Sequence, residues 1–172
     1  MFSAFRFLAA VFLCFALSGC ILQSKEPLFS DAEGELLLAP YGGRFATYSL
    51  EGDNWERDEG TIGLIPTAKH YVITEGKTAV SITFAALSGS WFVMQAEETG
   101  KPASYTLVDA QKGELLLHPL NCEPLRKSGK HGDAITFDGE DCTIKPGADT
   151  AAMFKSLAAE MGPARMKLVP LP

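Results

Sequence analysis

The chain has 172 residues, with 15 Lys and Arg against 21 Asp and Glu, for a formal charge of −6. That is the length of one domain, sufficient for one real core. The acidic balance argues against nucleic acid or anionic headgroups as partners, and the longest basic stretch is Arg126-Lys127 with Lys130 nearby.

In chain order, the first element is an apolar leader. Arg6 supplies a positive start, and Phe7 to Ala16 is an unbroken apolar run too short to span a bilayer. Leu17-Ser18-Gly19-Cys20 follows directly. This stretch resembles the signal and lipobox of bacterial lipoprotein precursors. The resemblance covers about the first twenty residues. It implies that 1–19 is a signal peptide and that Cys20 becomes the lipidated first residue of the mature protein. The other readings of these residues are an ordinary secreted signal and an uncleaved N-terminal anchor.

The lipoprotein class carries a diacylglyceryl group and an N-acyl chain, and each buried methylene contributes about 0.8 kcal/mol to attachment. In that class an Asp after the cysteine favours the inner membrane. Here the residue is Ile21, which implies the periplasmic face of the outer membrane. The expected partner is therefore the membrane itself, through the lipid.

Residues 20–33 read as a tether, with Gln23, Ser24, Lys25, Glu26 and Pro27 and no sustained periodicity. Its extended reach is roughly 40 Å. Packing of Leu28 and Phe29 on the domain is the alternative. A single β-rich domain is expected over 34–172. Short strands are predicted at Phe45–Leu50, around Trp55, at Thr61–Ile65 and at Tyr71–Thr74. The clearest pattern is Val80, Ile82 and Phe84 alternating with small or polar residues, a period of two with one bulky face. Trp91–Ala96, Tyr105–Val108 and Leu115–Leu117 continue the series. Glu75-Gly76-Lys77, Ser88-Gly89-Ser90, Thr99–Pro102 and Asp109–Gly113 act as turns. Such spacing, with no helical crossover, predicts an antiparallel meander.

One helix is predicted near 150–161, capped by Asp149 or Thr150 and stopped by Gly162-Pro163. Met153, Phe154, Leu157 and Met161 form its apolar stripe. Residues 163–172 read as an extended tail. Gly34–Pro40 echoes Gly113–Pro119, differing only at Ala39 against His118. A glycine turn, a Leu-rich strand and a terminating proline are a common solution, and we favour that over a duplication. The fold class is mainly β: an antiparallel meander forming a small barrel or curved sheet, with one C-terminal α-helix. In architecture it resembles lipocalin-type barrels and other small envelope β lipoproteins, without a lipocalin sequence signature. A small barrel is either filled by side chains or holds one small ligand.

With Cys14 in the leader and Cys20 acylated, Cys122 and Cys142 are left, and in an oxidising compartment they are expected to pair. A metal pair or free thiols are the alternatives. The spacing suits zinc poorly, and neither a metal site nor a cofactor is expected. His70, His118 and His131 have no local nucleophile, and no GxSxG, Walker or GxGxxG motif occurs. The acidic clusters at Asp53–Glu59 and Asp138–Asp141 fit no EF-hand loop.

The function expected is that of a membrane-anchored, non-catalytic envelope lipoprotein. It would bind a partner protein, a wall component or a small apolar ligand, with Trp55, Phe84, Trp91 and Tyr105 as candidate ligand residues. The alternative is an anchored inhibitor or accessory factor of an envelope enzyme. It would act through the Cys122–Cys142 loop and its Lys127, Lys130 and His131. A hydrolase ranks last.

Overall fold

The computed structural model describes residues 20–38, 43–75 and 78–172. The leader 1–19, with Arg6, Cys14 and the residues before Cys20, lies outside the described residues. So do Ala39 and Pro40 of the echo and the turn at Gly76-Lys77.

The protein is mainly β. Among the described residues the strands are β1 (Gln23–Ser24), β2 (Arg44–Glu51), β3 (Asn54–Arg57), β4 (Ile62–Gly63), β5 (Ile65–Pro66), β6 (Tyr71–Glu75), β7 (Thr78–Ser88), β8 (Trp91–Glu98), β9 (Ala103–Gln111), β10 (Glu114–Pro119), β11 (Ile135–Asp138), β12 (Asp141–Ile144) and β13 (Met166–Pro170). Two helices join them, α1 (Cys122–Ser128) and α2 (Thr150–Glu160). The main ladder runs β3-β2-β13-β10-β9-β8-β7-β6-β5. From β6 to β10 it is the expected meander, each strand antiparallel to the next.

Of the two forms expected, a curved sheet is what forms; it is not closed into a barrel. One short segment reaches across the gap between its edges. Ile62–Gly63 pairs with β2 and Ile65–Pro66 pairs with β6. Between them the Leu64 N–H donates to the Gly43 carbonyl at 2.7 Å. Gly43 sits at φ 78°, and a Cβ there would lie 2.6 Å from the Leu64 carbonyl oxygen. Both facts require glycine at this contact.

Three expectations need correction. The C-terminal residues are not a free tail: β13 is a central strand, between β2 and β10. Their alternation was short and flanked by prolines, so only the pairing on both sides reveals a strand. The single helix becomes two. The cause of the omission is length, since α1 has seven residues, two of them buried, too few to show a helical period. The Leu-rich echo diverges: 114–119 is a strand, whereas Gly34 makes only an isolated bridge to Ala85.

The tether is also overturned. Residues 20–29 are built into the domain. Where β10 ends at Pro119, β1 takes its place beside β9, with Gln23 opposite Ser104 and Ser24 opposite Ala103. The Leu22 N–H donates to the Leu120 carbonyl at 2.7 Å, and the Leu22 side chain is fully buried. On its other side β1 pairs in parallel with β12. Leu28 and Phe29 are held by Gln95, which is 0 % exposed. Its Oε1 accepts from the N–H groups of Leu28 at 2.8 Å and Phe29 at 3.0 Å, and its Nε2 donates to the Phe29 carbonyl at 2.8 Å. These bonds are long-range in sequence, so composition alone reads the segment as loop.

The period of two divides the sheet between two cores. On β8 and β9, Val93, Ala103, Tyr105 and Leu107 face outward, where Leu22, α1, the β11–β12 hairpin and α2 cover them. Three of the four expected stripe residues, Met153, Phe154 and Leu157, are buried on the helix, with Phe154 5.6 Å from the Tyr105 ring, while Met161 is its extended, partly buried C-cap. The alternate residues Phe92 and Val108 face the concave side with Val80, Ile82, Phe84, Leu117 and Leu168.

The Cys122–Cys142 disulfide forms as expected and ties the start of α1 to β12. Serine at both positions should cost about 3 kcal/mol in the chain-entropy model, read as a lowered urea midpoint with a steeper slope, since the unfolded chain is no longer cross-linked. Replacing Gln95 by Leu strands the amides of Leu28 and Phe29. It should cost about 1–3 kcal/mol and speed tryptic cleavage after Lys25, whereas unchanged cleavage would mean the segment is held by other contacts.

Candidate functional site

A cavity of about 410 Å³ lies on the concave side of the curved sheet. Its walls follow from strand alternation. Val80, Ile82 and Phe84 project from β7, Met94 and Ala96 from β8, Thr106 from β9, Leu117 from β10, and Met166 and Leu168 from β13. Ile62, Leu64 and Ile73 complete the apolar lining where the bridging segment meets β6. Phe84, Thr106, Leu117, Leu64 and Leu168 are buried and form the floor. Lys101 and Pro102 are the exposed lining residues, which sets an opening at the β8–β9 turn, and Ile62, Ile73, Met94, Ala96 and Met166 are partly exposed, as are Glu98, Gln23 and Cys20. Lys101 donates to Glu98 at 2.7 Å across that mouth. An apolar interior with a few polar groups at one end suits a small amphiphilic or apolar guest.

Cys20 stands on this rim. Its carbonyl accepts from the Cys122 N–H at 2.7 Å, so the residue is fixed to the disulfide-bearing helix. In the unmodified chain a hydrogen bond with the Asp141 carboxylate, and next partial burial, raise its thiol pKa. A protonated thiol is a poor nucleophile toward the neighbouring disulfide.

The other predicted site residues are dispersed. Phe84 alone of the four candidate ligand aromatics lines the cavity. Trp55 lies on β3, where the Lys167 ammonium sits 5.0 Å from its ring and 5.4 Å from that of Tyr48. Trp91 packs against the outer core, its ring tilted against that of His118 at 5.1 Å. Tyr105 is fully buried in the outer core, its hydroxyl 2.6 Å from the Ser24 hydroxyl. Strand parity explains the split: Trp91 and Tyr105 are on the odd, outward positions of β8 and β9. Sequence reasoning missed Met94, Ala96, Met166 and Leu168. The alternation in Met166-Lys167-Leu168 was the available signal.

The 122–142 segment is anchored to the domain by its apolar residues, while Lys127 and Lys130 stay exposed. Leu125, Ala134 and Ile135 are part of the outer core, and the Arg126 guanidinium donates to the Gly139 carbonyl. Lys127 pairs with Glu123 at 2.7 Å and Lys130 with Glu160 at 3.1 Å. His131 is buried, and its Nε2 has no hydrogen-bond partner among the described residues. The inhibitor-loop expectation therefore loses its exposed histidine, because the loop's apolar residues complete a core.

His70 Nδ1 lies 2.8 Å from Asp31 Oδ1, at the surface. Among the described residues no group of three or more His, Cys, Asp and Glu side chains is placed to hold a metal ion, and no helix is long and apolar enough to cross a membrane. No family model, curated protein or solved structure matches the chain.

Burial beside Trp91 lowers the His118 pKa below its usual value. The unfolded chain takes up this proton near pH 6.5, while the folded protein resists it. Stability is therefore full above about pH 6.5 and falls as pH drops toward the lowered value. A His118→Gln protein should show a shallower fall in melting temperature between about pH 7 and pH 5; an identical profile would exclude His118 as a source.

Proposed function

We propose that this protein is a lipid-anchored, non-catalytic component of a bacterial envelope that holds a small apolar ligand on the concave side of its sheet. The cavity carries the proposal. Its roughly 410 Å³ lies within the range of about 300–1,000 Å³ usual for small-ligand sites, and its wall is built from aliphatic side chains with Phe84 at the floor. The anchor at Cys20, at the periplasmic face of the outer membrane, is supported by the Leu17-Ser18-Gly19-Cys20 sequence and by Ile21. The cavity favours a ligand-binding role over the inhibitor reading, whose His131 is buried and whose Lys127 and Lys130 are already ion-paired.

The purified protein should bind N-phenyl-1-naphthylamine with a rise in fluorescence. Ala96→Trp, which fills the wall, should weaken binding by about tenfold, equivalent to about 1.4 kcal/mol. Trp55→Ala and Trp91→Ala should leave it unchanged. Binding insensitive to Ala96→Trp would remove the cavity as the ligand site.

A further inference from the structure

The position of Cys20 adds something the cavity alone does not: a direction of approach. The backbone after Cys20 has no slack. Ile21 bridges to Asn121, Leu22 is buried with its N–H on Leu120, and Gln23 is paired to Ser104. Cys20, Ile21 and Gln23 themselves line the cavity. The Cys20 thiol turns toward Asp141 and its side chain rests on the outer core, so a lipid on that sulfur begins beside the cavity-lining residues Ile21 and Gln23, and a leaflet holding that lipid lies close to this end of the cavity. A tether of the expected reach, roughly 40 Å, would have left the mouth free to face water; the buried Leu22 removes that freedom.

The rim and the interior specify different halves of a guest. Lys101 and Glu98 form an ion pair at the mouth, with Gln23 and Ser104 beside them. Such a rim offers donors and acceptors of both signs to a polar or zwitterionic head. The interior offers aliphatic walls, and the volume is at the lower end of small-ligand sites. That is space for one hydrocarbon chain rather than two. We infer that the cavity takes the single acyl chain of a monoacyl amphiphile of the lysophospholipid class, loaded from the leaflet in which Cys20 is anchored. This rests on the proposed anchor and on the cavity as an apolar site.

The test uses the full-length, processed protein in phosphatidylcholine vesicles that contain lysophosphatidylcholine with a deuterated chain, so that the guest differs in mass from the anchor. Intact mass first reports acylation of Cys20, and its absence would overturn the anchor and the inference together. Native mass spectrometry after mild extraction should then find the deuterated lysolipid bound. Occupancy should fall about tenfold in Ala96→Trp and, as a second blocking variant, in Ser104→Trp. A Cys20→Ser protein in solution should load about a hundredfold more slowly, since anchoring raises effective concentration.

Retention of the naphthylamine probe without lysolipid would overturn the inference and leave the apolar site standing. Loss of both ligands would overturn both. Binding of the diacyl lipid instead, occupancy by the anchor's own chain, or equal loading by the Cys20→Ser protein would each overturn it.

Discussion

Gln95 is buried without charge, and all of its hydrogen-bonding capacity is used inside the protein. Besides the contacts to Leu28 and Phe29, its Nε2 donates to Glu97 Oε1 at 2.7 Å. A buried amide left unpaired costs about 1–3 kcal/mol, so the side chain and the segment it binds specify each other. Tyr105 reinforces the same clamp through Ser24 and the Leu28 N–H. This fastening holds the far end of the segment, while Cys20 to Gln23 are held by their own bonds to Cys122, Leu120 and Ser104 and by the buried Leu22. Together the two attachments make residues 20–29 part of the domain.

The clamp occupies the outer face of β8 and β9, and the cavity occupies the inner face. One pair of strands therefore serves two purposes. On the outside, α1, α2 and the β11–β12 hairpin give β8 and β9 a dense second layer, stapled by the disulfide. On the inside, the sheet curves around its own side chains, and two-residue strands from a single segment span the gap between its edges. Outward residues fill one core; inward ones fill a second and leave a cavity beside it. A helix packed outside leaves the concave face to whatever enters from the mouth.

Much of the architecture was legible because its signals are local. Val80, Ile82 and Phe84 share a face by the period of two, and the glycine turns at Gly89 and Gly100 punctuate the strands where expected. Asp149 caps α2 by accepting from the Ala152 N–H at 3.0 Å, as its position before an apolar stripe implied. The Cys122–Cys142 bond was expected only through the lipoprotein resemblance, which implies that Cys14 and Cys20 are unavailable for pairing. The candidate site was less legible. An aromatic on a strand has two faces available, and which face meets the cavity depends on register. Trp91 and Tyr105 went outward, while the unremarked Met94 and Ala96 went inward.

The sequence by itself determined the strand periods, the turns and the capped helix, because each is set by residues within one segment. Only the tertiary structure decided that residues 20–29 are part of the domain, that β13 is a central strand, and that the concave face keeps a cavity beside Cys20. Those outcomes rest on hydrogen bonds and packing between segments as far apart as Leu28 and Gln95, or Leu168 and Thr47. Contacts at such separations are chosen by the whole fold, since each gains its free energy only when every strand between them has paired in register.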